Sequence, residues 1–143
     1  MPVLSTLGAM SVQGFGRLKV GATVVELVSG ALINGQSNLQ EITVSDYISE
    51  GDTLVVPANF WVWSDNTSTA AITVDIPCTI ENNGKIIGRG GNGGRRANGG
   101  AGGPAIKINS GVSDVTITNN SGAYIAGGGG GGAGYDAEGT GGG

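Results

Sequence analysis

Three groups of residues in this chain have types and spacings that could do chemistry. The first is a set of carboxylates, Asp46, Glu50, Asp52, Asp65 and Asp75, from which a glycosidase would need one facing pair, an acid and a base or nucleophile. Nearly all of them lie in turn contexts, and solvated turn positions account for them. The second is aromatic. Phe60, Trp61, Val62 and Trp63 hold both tryptophans of the chain, and strand alternation puts Trp61 and Trp63 on one face. Two indole faces suit the apolar face of a pyranose; the same rings also supply bulk to a small core, which is the more economical expectation. The third is the run "GRGGNGGRR" with Arg89, Arg95 and Arg96. One Arg-Gly-Gly without interleaved aromatics, in a chain of net charge −4, does not make an RNA-binding segment. No Lys-Ser/Thr follows the glycine doublets, so they do not make a phosphate loop either. No nucleic-acid partner is expected.

The missing residues narrow the chemistry further. The chain has no histidine, which removes the commonest general base and the commonest metal ligand. The segment "GYDAEG", with Asp136 and Glu138, lacks the repeated nonapeptide of calcium-binding turns. Cys78 is the single cysteine; it allows no internal disulfide and reads as a small buried hydrophobe in a strand. The expectation is a non-enzymatic protein without metal or cofactor. No apolar run reaches the roughly 18–20 residues that a bilayer requires, and the start lacks a signal-peptide pattern, so a cytoplasmically made protein without membrane insertion is expected.

The elements that must position these residues are strands. Apolar positions rich in Val, Ile and Thr favour an all-β fold, either a small β-sandwich or a short β-solenoid-like stack, followed by a glycine-rich extension that is irregular or polyglycine-II-like. Residues 1–17 read as a docking arm whose apolar members, Val3, Leu4, Leu7, Met10, Val12 and Phe15, would bury against another subunit. Residues 18–83 read as a β domain, and 84–143 as a glycine-rich repeat region with an intervening β segment, 105–126. In "LQEITVSDYI", Leu39, Ile42, Val44 and either Tyr47 or Ile48 compete for the inner face. Pro57 turns the middle of "TLVVPANFWVWS" into an edge, bend or bulge.

A two-copy repeat links the late segments. Cys78 to Asn83 fall against Val115 to Asn120, and "AITV" at Ala71 echoes "AIKI" at Ala105. With one inserted residue, Ser121, Gly84 meets Gly122 and "KII" meets "AYI". Each copy runs strand, Asn-Asn corner, strand, glycine run, as one rung of a solenoid would. Asn at the corner tolerates left-handed backbone, and Gly84 and Gly122 supply positive φ.

The glycine runs are unlike flexible linkers. Of the 30 glycines, 23 lie from Gly84 onward, mostly as doublets spaced by single residues. Chains this poor in side chains can lie together as polyglycine II helices whose backbone groups bond neighbouring chains. The end on "GTGGG" is consistent with a longer glycine tract.

The strings "TIENNGKIIGRGGNGG", "GGPAIKI" and "VTITNNSGAYIAGGGGGG" resemble the glycine-rich distal domains of tailed-bacteriophage tail fibres and tail-tip adhesins, over about Ile72 to Gly143. The opening "TLGAMSVQGFG" is similar to N-terminal segments of small phage virion proteins. The resemblance implies a virion protein whose glycine-rich part is a compact lattice presenting loops to a host-surface protein or glycan. On that reading Asn92, Arg95, Arg96, Asn98, Tyr124, Tyr135 and Asp136 contact the receptor, and the arm docks other virion proteins in a homo-oligomer, a trimer being favoured. A purely structural virion role, as a head decoration, fibre or tail-joining subunit, is the alternative.

Overall fold

The computed structural model describes residues 21–28, 31–33 and 35–134. The docking arm, with Val3, Leu4, Leu7, Met10, Val12 and Phe15, lies outside the described residues, as do Tyr135 and Asp136.

Strands of two to five residues stack in successive rungs. The first rung holds β1 (Val24–Glu26), β2 (Ala31–Ile33), β3 (Gln36–Gln40) and β4 (Ile42–Thr43). The second holds β5 (Thr53–Val56), β6 (Phe60–Trp63) and β7 (Ile72–Val74); the third holds β8 (Thr79–Asn82), β9 (Lys85–Ile87) and β10 (Ile106–Ile108). β11 (Thr116–Asn119) and β12 (Tyr124–Ala126) begin a fourth. Apart from β2, which pairs with β3 of its own rung, each strand pairs with its equivalent in a neighbouring rung, giving sheets in the orders β1-β5-β8-β11, β10-β7-β4 and β12-β9-β6-β3-β2. All pairs are parallel except β2 with β3. The all-β expectation holds, and the arrangement is the solenoid-like stack rather than an antiparallel sandwich. Strands this short cannot cover a facing sheet, but three of them around one axis enclose a core together.

Inward side chains form columns along that axis. Leu54 registers with Ile80 and Ile80 with Ile117; Leu39 leads through Val62 and Ile86 to Ile125; Ile42, Ile72 and Ile106 form the third column. The Ala71–Ala105 echo is thereby explained, because it precedes the pair Ile72 and Ile106. Burial decays along each column. Ile80 and Ile86 are fully buried, whereas Ile117 is 38% and Ile125 36% exposed, because no described rung covers them.

Local chemistry decides the details. Glu41 and Asn59 take positive φ and break the chain between strands, so "LQEITVSDYI" is two strands and a 3₁₀ turn (Val44–Asp46) rather than one. Ile48, not Tyr47, takes the inner place; Tyr47 is 37% exposed. Pro57 ends β5 in a bend, its carbonyl accepting the Phe60 N–H at 3.2 Å. In β6 the inner residues are Phe60 and Val62, both buried, so the tryptophans are not the core bulk; they occupy the half-buried outer face. Cys78 is buried beside the core, and burial followed by the nearby Asp75 pushes its thiol pKa up.

Two of the five carboxylates, Asp52 and Asp75, tie their rung to the one before it. Asp52 accepts the Thr23 N–H at 2.8 Å and the Ser49 N–H at 3.1 Å. Asp75 accepts the Ser45 hydroxyl at 2.6 Å and the Ser45 N–H at 3.1 Å, which hold its carboxyl below the ordinary 3.8. A pKa lowered on folding contributes stability that is present above the unfolded value, about 4, and is lost as pH falls through the folded one. Ser45→Ala is therefore expected to raise the midpoint of acid unfolding, followed by circular dichroism, and to lower stability more near pH 7 than below about pH 4, where protonation of Asp75 removes the difference.

The columns make a second prediction. Ile80→Ala should cost about 2–5 kcal/mol in chemical denaturation, and Ile117→Ala, the same residue one rung later, clearly less. Equal losses would contradict the open end.

Candidate functional site

The Asn-Asn corner aims the chain into the glycine runs. Asn82, fully buried, donates from Nδ2 to Asn119 Oδ1 at 2.7 Å and to the Tyr124 carbonyl at 3.1 Å, while its Oδ1 accepts the Gly84 N–H at 3.1 Å. Asn120 donates to Asn83 at 2.7 Å and to Glu81 at 2.9 Å. A buried amide needs partners for all its groups, and this ladder supplies them across two rungs. These asparagines do not adopt positive φ; the expected left-handed corner is replaced by side-chain stacking. Gly122 does take positive φ, but Gly84 does not. Gly84 is needed for space, because a Cβ there would collide with the Phe60 and Pro57 carbonyls. In the second strand the pairs are Lys85 with Tyr124 and Ile86 with Ile125, one residue away from the alignment of "KII" with "AYI". A one-residue slip exchanges the two faces, and the observed register is the one in which Ile125 covers the buried Ile86.

Beyond this pair, three backbone runs lie side by side. Residues 88–96 leave β9, residues 99–103 return antiparallel toward β10, and residues 126–134 continue from β12. Gly88, Gly91 and Gly94 donate to the carbonyls of Ala126, Gly129 and Gly132, each at 2.8 Å. Gly100 and Gly103 donate to Asn92 and Arg89, at 2.8 and 2.7 Å; Gly128 and Gly131 donate to Gly103 and Gly100, both at 2.8 Å. Each run thus gives hydrogen bonds to one neighbour and takes them from the other, at every third residue.

That period dictates where glycine is obligatory. A Cβ at Gly91, Gly99, Gly102, Gly128 or Gly131 would strike a carbonyl of the adjacent run, whereas at Gly129 it would meet nothing within 4 Å, and at Gly90, Gly93 and Gly130 only ordinary contacts. None of these residues has positive φ, so glycine is selected for closeness and not for unusual dihedrals.

Side chains are left to the rim. Arg89, Asn92 and Arg95 follow one another at the three-residue step on the first run, about 9 Å apart if the rise is that of an extended threefold helix. Arg95, Arg96, Ala97 and Asn98 form the turn between the first two runs, all exposed, with Arg96 at φ 57°. Asn92, Arg95, Arg96 and Asn98 are therefore brought together at one end of the glycine bundle. Tyr124, 60% exposed, is not with them: it stands on the outer face of β12, beside Lys85 of β9. Arg89, absent from the expected contact set, anchors the bundle to the rungs by donating from Nη1 to the Asp65 carbonyl at 2.6 Å; its place directly after a strand was the available signal.

Among the described residues no group of three or more His, Cys, Asp or Glu is placed to hold a metal ion, and no helix is long and apolar enough to cross a membrane. A family profile described as phage tail fibre adhesin Gp38 matches residues 26–143. No curated protein and no solved structure gave a match.

The threefold pattern predicts opposite outcomes for one substitution at adjacent positions. Gly128→Ala should destabilise the chain by about 1–3 kcal/mol through overpacking, and Gly129→Ala should stabilise it by about 0.4–1 kcal/mol by restricting the unfolded chain. Thermal melts of the two variants check this directly; a loss of similar size in both would remove the period.

Proposed function

We propose that this chain, which belongs to the phage tail fibre adhesin Gp38 family, attaches the virion to its host through the turn of its glycine bundle. Membership of that family makes it a virion component of the tail fibre, with other virion proteins and a host receptor as partners. The finer reading is non-enzymatic attachment in which Arg95, Arg96, Asn98 and the neighbouring Asn92 touch the receptor, a surface protein or glycan. Tyr135 and Asp136 belong to the same proposed contact set by sequence, and Tyr124 stands apart on the rung stack. Residues 1–17 are proposed to dock the chain on other virion proteins, the assembly being a trimer.

The observation that carries this reading is the division of labour within the glycine runs. Their inner positions admit no side chain, so the runs act as polyglycine II helices locked by backbone hydrogen bonds. A rigid mount with no side chains of its own leaves affinity to the few residues at its turn, and pre-ordering them lowers the entropic cost of binding. Two adjacent arginines can pair with carboxylate or phosphate groups of an outer surface.

A second reading is favoured by the open last rung. Ile117 and Ile125 on that rung, and Ile108 on β10 of the third, are exposed, as they would be in a structural subunit that packs against neighbours. Counting copies per virion by quantitative mass spectrometry separates the two, since a shell or tube subunit would be present in far more copies than a fibre tip.

Purified chain is expected to bind host cells, and Arg95→Ala with Arg96→Ala should lower binding at least tenfold at an unchanged melting temperature. Gly129→Ala serves as the control that leaves binding intact. Adsorption that survives loss of both arginines would sink the assignment.

A further inference from the structure

A second recessed surface lies away from the glycine turn, on the outer face of the sheet that contains β6. It is a groove of about 560 Å³ lined by Gln36, Asn38, Trp61, Trp63, Asp65 and Arg89, among others. Trp61 and Trp63 face the same way two residues apart, hence about 6.6 Å along the strand. The Lys85 ammonium sits 4.5 Å from the centre of the Trp61 ring and holds it. Trp63 donates from Nε1 to Asn38 Oδ1 at 3.3 Å, which holds the other. Arg89, through its bond to the Asp65 carbonyl, closes the end of the groove against the first glycine run.

We infer that this groove is a glycan-binding site, which takes a short hexose-containing oligosaccharide with one sugar ring stacked on an indole. Its composition decides the class of ligand. Indole faces are electron-rich and attract the weakly positive C–H face of a pyranose, while the hydroxyls on the ring edge need both donors and acceptors. The Gln36 amide and the Asp65 carboxylate offer these within the same groove. Among the described residues, Trp61 Nε1 is buried without a hydrogen-bond acceptor, so contact with this ring goes through its face and not its N–H. The volume exceeds that of one ring and lies in the range of pockets for drug-sized ligands, about 300–1,000 Å³, so a few linked sugars fit.

The inference stands apart from the glycine turn and does not rest on it. The chain's two tryptophans both line this groove and no tyrosine is among its described lining residues, so emission excited selectively at tryptophan reports on it. Full-length protein is titrated with maltoheptaose, cellohexaose and the core oligosaccharide released by mild acid from a Gram-negative lipopolysaccharide. The expected result is a saturable change in emission with at least one of them. Affinity should fall at least tenfold in Trp63→Ala, followed by the remaining Trp61 or by calorimetry, and about as far in Gln36→Ala with Asp65→Ala, a variant that keeps both rings and guards against a folding defect. The Arg95→Ala, Arg96→Ala variant should titrate like the parent, whatever its behaviour on cells. No saturable change with any of the three glycans would overturn the assignment. So would unchanged affinity in both groove variants, or a saturable change produced by isolated tail fibre and by no glycan, which would make the groove a protein contact.

Discussion

The register of β12 on β9 is the constraint on which the rest of this structure depends. Ile125 must lie over Ile86, and Asn119 over Asn82, for the last rung to cover the buried residues of the third. The offset so chosen does not stop where the strands stop. The Gly88 N–H bonds to the Ala126 carbonyl as the next step of the same ladder, and Gly91 and Gly94 repeat it three residues at a time. The glycine runs, which contain almost no side chains to recognise one another, thus inherit their alignment from two isoleucines and a pair of amides. Glycine backbone is the most expensive to order, and here a neighbouring β stack with a conventional core begins the ordering.

Much of this was legible in the order of residues. The alternation of Thr and Ile, the paired Asn-Asn corners and the echo of Ala71 at Ala105 identify equivalent places in successive rungs, because parallel stacking brings like residues together. The all-β class follows from the same residues. What the pattern could not resolve were distances of one residue and choices of face. A single extra residue at the second corner reverses which side of β12 is inside, and "AYI" satisfies either alternation locally; only the buried column discriminates. Likewise Trp61 and Trp63 are large enough to be core, and nothing in their own stretch says that Phe60 and Val62 already fill the axis.

The roles of asparagine and glycine were harder still, because each type has two physical uses. Asn82 could have been placed for left-handed backbone or for its amide, and Gly84 for positive φ or for its missing Cβ. The structure uses the amide ladder in one and the space in the other, and both are properties of the neighbouring rung rather than of the local sequence. The exposed arginines at residues 95 and 96 are the reverse case: their place is plain once the glycine period is known, since they end the run that precedes them.

The three-residue period of the glycine runs also limits how they can change in length. Adding one or two residues within a run rotates every later position by a third or two thirds of a turn, carrying an outer residue such as Arg95 into the place where Gly94 now admits no side chain. Adding three restores the phase and lengthens the run by one turn. The bundle is therefore expected to grow or shrink in whole turns, and matching changes in the partner runs would be needed to keep each inner carbonyl supplied with a donor.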